Sequence, residues 1–154
     1  MKDYFHEART ALKIAEIEYT AVSSLSAMGA YATNQACENA VRGIWEKATG
    51  NEFPHEQFKP FHKPATYLKR IGLFSYYSPD AQQFLEKQVG CALDEVRYDN
   101  SQAYRDHTKL KNKERGNMLI AGTLLIIEET EKLSESKLAL EIIRNYENKV
   151  GKDA

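Results

Sequence analysis

Arg97, Tyr104, Arg105 and His107 come nearest, in this chain of 154 residues, to a set able to do chemistry on a phosphate. A guanidinium binds and neutralises phosphate oxygens, and an imidazole moves a proton near neutral pH. Tyr104 suits positioning a phosphate better than shuttling a proton, because a phenol ionises near ~10. Arg105 and His107 stand two apart, so on a helix their side chains diverge. Arg97 precedes Tyr98-Asp99-Asn100, a turn by composition, and so falls at a helix end. There it either contacts a phosphate or nucleotide, offsets the helix dipole, or pairs with Glu38 or Asp94.

Two basic clusters surround these residues. Arg105, Lys109, Lys111, Lys113 and Arg115, set against Asp106 and Glu114, read either as an electrostatic groove for RNA or polyphosphate or as a solvated helix face. His55, Lys59, His62, Lys63, Lys69 and Arg70 form the second cluster, across a proline-rich segment. Should that segment fold back beside Arg42 and Arg97, the positive charges converge on one cleft. The candidate binding residues are therefore Arg42, His62, Lys69, Arg70, Arg97, Arg105 and Lys109, and the candidate catalytic ones Arg97, Tyr104 and His107.

The sequence contains no Gly-rich phosphate loop, no paired Glu-x-x-His and no His-Glu-x-x-His. Two histidines without a third ligand do not make a zinc site. Neither a metal nor a cofactor is expected. A formal net charge of −1 argues against a protein-wide field that would collect nucleic acid, leaving only local patches. Cys37 and Cys91 sit in apolar helical contexts and read as reduced, buried small hydrophobes. Asp3, His6 and Glu7 occupy the place of a signal peptide's apolar core, and the most apolar run, Met118 to Ile127, is too short to span a membrane. A cytoplasmic protein with a single domain over 1–154 and no membrane partner is the expectation.

These residues must be carried by helices. All four prolines (Pro54, Pro60, Pro64, Pro79) fall in one central segment, which frees the flanks for long helices. Phe5, Ala8, Leu12, Ala15, Tyr19 and Val22 recur at three and four, predicting a helix from Tyr4 to about Leu25. Ser23, Ser24, Ser26 and Gly29 suggest a tight break. In the next helix, Ala36, Ala40, Ile44 and Ala48 lie beside Cys37, Val41 and Trp45 in one apolar stripe, with Asn34, Glu38, Arg42 and Glu46 as the opposite polar row. Gly50 supplies its stop. The phenylalanines of 51–63 are expected to tuck under the bundle. Pro64 opens a short helix to about Leu73, Ser78-Pro79-Asp80 starts another, and a long helix runs from about Gln102 or Thr108 to Leu133. An amphipathic segment at 134–149 follows. The architecture predicted is all-α, an up-and-down bundle of four to six helices.

The wording of the central helix resembles a family. Tyr31, Gln35-Ala36-x-Glu38, Ala40, Arg42 and Gly50, followed by a His-bearing loop, Tyr67-Leu68 and Val96-Arg97-Tyr98-Asp99, are similar to the corresponding run of HEPN domains, and the implied bundle also resembles the helical half of nucleotidyltransferase proteins. The likeness covers about 8–134, leaving an extra C-terminal helix at about 135–149; Asp99 follows Tyr98 directly, where the family places a proline between them. The resemblance implies a HEPN-like fold and a homodimer, for which Leu119 to Ile127 and the C-terminal helix offer a surface. It also implies binding of a nucleotide, RNA or a partner nucleotidyltransferase. Ribonuclease members carry Arg followed, after four to six residues, by His, and no Arg in this sequence meets that spacing. Three functions stay open: a binding module, an RNA-cleaving toxin or defence protein of the toxin-antitoxin kind (a metal-independent endoribonuclease with a displaced Arg/His pair), and a structural interaction bundle.

Overall fold

The computed structural model describes residues 2–21, 27–54, 64–89 and 112–153. Among them are six α-helices and no strand: α1 (Tyr4–Ala21), α2 (Ala27–Thr49), α3 (Pro64–Ile71), α4 (Pro79–Phe84), α5 (Asn112–Leu133) and α6 (Lys137–Asp153). A 3₁₀ turn, Phe74–Tyr76, leads into α4, and a π-turn, Leu85–Val89, extends it. Arg97, Tyr104, Arg105, His107, Lys109, His62 and Cys91 lie outside the described residues.

α1 and α2 form an antiparallel hairpin. Gly29, near the start of α2, meets Tyr19 late in α1, while Gly43, late in α2, meets Phe5 at the start of α1. The expected break at Gly29 is therefore corrected: the glycine is inside α2. A Cβ there would stand 2.5 Å from Tyr19 Cε1, so the missing side chain serves close approach instead. Ala8, Ala11 and Leu12 of α1 pack on Ala36 and Ala40 of α2, with Ile127 of α5 closing this small cluster. The alanine rows let the two helices come close, as small side chains at a helix contact do.

The other face of α2 carries the larger core. Cys37, Val41, Ile44 and Trp45 meet Leu68 and Ile71 of α3, Leu85, Leu119 and Ile126, and Ala139 and Ile143 of α6. Phe53 is buried against Trp45, with ring centroids 5.9 Å apart and edge-on, as expected of it, while Phe58 and Phe61 lie outside the described residues. α5 packs on both helices of the hairpin, and α6 lies along α2.

The helix ends follow from particular residues. Gly50 takes φ +71° and its N–H donates to Glu46 O, stopping α2 as expected. Arg144 of α6 donates from Nε to Ala48 O at 2.6 Å, satisfying one of the last carbonyls of α2. Gly72, with φ +97°, ends α3 at Ile71, two residues before the expected Leu73. Ser78 caps α4 by accepting from Ala81 N, and Pro79 opens it.

The polar row Asn34, Glu38, Arg42, Glu46 is partly enclosed: Asn34 is 6% exposed and the other three are half-buried. Leu119, Ile126 and Ile127, offered as part of a dimer surface, are buried inside the chain itself, leaving only Ala121 and Leu124 exposed between Leu119 and Ile127. Among the described residues, no helix is long and apolar enough to cross a membrane.

Candidate functional site

Arg42 stands where two rows of α2 converge. Asn34, Glu38 and Arg42 are spaced by four, and Gln35, Asn39 and Arg42 by four and three, so both rows end on the same guanidinium. On the first side, Arg42 Cζ lies 6.0 Å from the centroid of the Phe53 ring. Phe53 in turn sits edge-on to Tyr67 of α3, with centroids 5.9 Å apart. A cation at this distance from a ring face is attracted by the ring quadrupole. Burial pushes the Tyr67 phenol up from its ordinary value; Glu38 adds to the rise and Arg42 opposes it. Glu38, Arg42 and Tyr67 thus form one electrostatic neighbourhood.

Asn34 is tied to this group. Its Nδ2 donates to Glu38 Oε1 at 3.1 Å, which fixes the orientation of the amide because a carboxylate only accepts. Its Oδ1 is buried with no hydrogen-bond partner among the described residues. On the second side, Arg42 Cζ lies 6.0 Å from the Tyr4 ring, which Lys2 Nζ also approaches at 5.8 Å. There a groove of about 230 Å3 runs between α1 and α2, with Gln35, Asn39 and Arg42 on its α2 wall.

Of the other candidate binding residues, Lys69 and Arg70 lie in the last turn of α3. Lys69 Nζ pairs with Glu86 at 2.6 Å and lies 4.8 Å from the Phe74 ring centroid, so it is engaged locally with the π-turn. Arg70 is exposed and follows Tyr67 by three residues, which places it on the same side of α3 as the phenol. Arg97, Arg105, Lys109 and His62 of the binding set, and Tyr104 and His107 of the catalytic set, lie outside the described residues.

A larger hollow of about 910 Å3 lies between the Tyr76–Ser78 stretch and α5. Glu128, Glu129, Glu131 and Glu135 line it against Lys132, so acidic side chains outnumber basic ones in its lining. Three of those carboxylates already have partners: Glu129 accepts from Ser78, Glu131 pairs with Arg9 and Glu135 with Lys47. Size alone would select this hollow, and charge selects Arg42. Among the described residues, no group of three or more His, Cys, Asp and Glu is placed to hold a metal ion.

No family model, curated protein or solved structure matches the chain. Arg42 was singled out from the sequence, but Lys2, Gln35 and Asn39 as groove residues were not. Gln35 and Asn39 are ordinary polar helix residues until α1 is laid beside them.

Proposed function

We propose that the chain is a HEPN-like helical homodimer that binds the phosphate of a nucleotide or RNA segment through Arg42, without the ribonuclease Arg/His motif. The observation that carries this reading is the setting of one guanidinium: half-buried, on a rigid helix, and within 6.0 Å of the Phe53 ring. A guanidinium is weakly hydrated and offers paired donors to phosphate oxygens. Tyr67 and Arg70 extend the surface with a phenol and a second cation. Residues on helices hold such a constellation more tightly than residues on loops.

Fluorescence anisotropy with a labelled oligoribonucleotide, and thermal shift with ATP, test it. Arg42→Gln should weaken binding by roughly tenfold or more and lower the salt slope of oligonucleotide binding by about one. Equal affinity of wild type and Arg42→Gln for both probes would remove the proposal. Growth arrest on expression, abolished by His107→Ala, would assign the chain to RNA cleavage instead.

A further inference from the structure

Phe53 backs the Arg42 guanidinium but belongs to no helix. Gly50 turns the chain out of α2 with its left-handed φ, and Phe53 then folds back onto Trp45 of that helix. The place of the ring beside Arg42 therefore depends on what holds residues 50–53. The margin is small, because a cation is attracted to a ring face within about 6 Å of the centroid and Arg42 Cζ stands at 6.0 Å. A drift of the ring by about an ångström weakens the contact. Part of the hold is local: Thr49 Oγ1 donates to Trp45 O at 2.9 Å and accepts from Asn51 N at 3.0 Å. Glu52 works against the fold-back. The Glu46 carboxyl is raised above its ordinary value, chiefly by burial and then by Glu52, so the two carboxylates repel across the turn.

A further hold comes from one turn of α6. Arg144 Nε donates to Ala48 O at 2.6 Å, in the last turn of α2, and Glu147 Oε2 accepts from Asn51 Nδ2 at 3.0 Å, beyond the stop. The two residues are three apart, hence on one side of α6. Together they clamp the chain before and after Gly50. Tyr146, from the same turn, sits edge-on to Trp45 with centroids 6.2 Å apart, and Trp45 sits edge-on to Phe53 in turn. α6 thus reaches the Phe53 ring by two routes, one along the main chain and one through the indole.

We propose that Arg144 and Glu147 are positioning residues for Arg42: they pin the 48–51 stretch, so that the Phe53 ring stays against the guanidinium and orients it for an anion. A binding group is only as well placed as the side chains that support it. The C-terminal helix, which lies beyond the run similar to HEPN domains, thereby takes part in the site. The link from α6 to Arg42 stands on geometry, while its consequence for binding rests on the phosphate reading. Arg144 and Asn51 are exposed and Glu147 is half-buried, so the two ties can be removed without opening the core.

NMR of the Arg42 Nε–Hε group in the isotope-labelled, ligand-free chain tests the link, and anisotropy with a labelled oligoribonucleotide tests the consequence. Phe53→Leu removes the ring and gives the reference position of the resonance, the Tyr4 ring being present in every variant. The double variant Arg144→Met, Glu147→Ala should keep cooperative unfolding and move the Arg42 resonance toward that reference. It should weaken binding by about two- to fivefold, the worth of one exposed cation–ring contact. Glu147→Gln retains a side-chain oxygen that can accept from Asn51 and should hold the wild-type resonance, whereas Glu147→Ala should not. Should the double variant lose cooperative unfolding, this Glu147 pair alone decides. An Arg42 resonance unmoved in the double variant, equal effects of Glu147→Gln and Glu147→Ala, or a moved resonance with unchanged binding would each overturn the positioning role. A moved resonance in a chain with no affinity for oligoribonucleotide or ATP would instead remove the phosphate reading and leave the link from α6 to Arg42 standing.

Discussion

The ring of Phe84 fills the space that a side chain on Gly122 would need. A Cβ built on Gly122 would stand 2.2 Å from Phe84 Cδ2 and Cε2, and 2.7 Å from Cγ. Glycine in mid-helix costs about 1 kcal/mol relative to alanine. Here that loss is the condition for α4 to close on α5. Gly122→Ala should therefore destabilise by about 1–3 kcal/mol in urea unfolding despite its better helix propensity, as overpacking does. Pairing it with Phe84→Leu should recover part of the loss, since residues in contact couple. A Gly122→Ala chain more stable than wild type would contradict this packing.

Tyr77 and Thr130 share a buried hydrogen bond of 2.6 Å, and its direction can be assigned. Thr130 Oγ1 already donates to Ile126 O, so the Tyr77 hydroxyl must be the donor to Thr130. Thr130→Val strands a buried phenol and should cost about 1–3 kcal/mol. Tyr77→Phe leaves Thr130 bonded to Ile126 and should cost less, about 0.5–1.5 kcal/mol. Thermal unfolding of the two variants checks the order.

Glu129 acts as a second cap at the start of α4. It accepts from Ser78 N at 2.8 Å and from Ser78 Oγ at 2.6 Å, while Ser78 Oγ accepts from Ala81 N at 3.2 Å. Both bonds to the carboxylate are charge-assisted and span from the turn before α4 to α5. Glu129→Ala should destabilise by about 1.5–3 kcal/mol, the range for hydrogen bonds to charged groups. Amide exchange at Ser78 and Ala81 should accelerate in the same variant.

Burial makes the protein sensitive to alkali. The Cys37 thiol is pushed from 9.0 up to about 12, first by burial and then by Glu38, against a hydrogen bond with Thr123. Tyr77 is raised too, chiefly by burial, with its bond to Thr130 opposing. Both groups are held neutral by the fold, so the unfolded chain loses their protons first. Their contribution is complete below about pH 9 and falls as pH rises toward 12. For Cys37 the loss is about 1.4 kcal/mol per pH unit across that window. Urea midpoints at pH 8 and 10.5 should differ clearly in wild type and less in Cys37→Ala. An equal difference in both would refute the assignment to Cys37.

Much of the helix pattern was legible before any neighbour was known. The apolar stripe from Ala36 to Ala48, the stop at Gly50 and the start at Ser78-Pro79 are local signals. Spacing, left-handed backbone freedom and a capping hydroxyl act within one or two turns of the chain. Gly29 was the exception. A glycine serves a turn or a close approach equally well, and only the ring of Tyr19 beside it decides between them.

The chain itself determined that Arg42 would end a polar row on a long helix, because a period of four is a property of the helix alone. Which of its polar rows would be enclosed was not contained in that period. Asn34 is buried and Asn39 walls a groove only because other helices, from parts of the sequence remote from α2, pack on either side of it. Burial is a relation between surfaces, and a single helix has only one of the two.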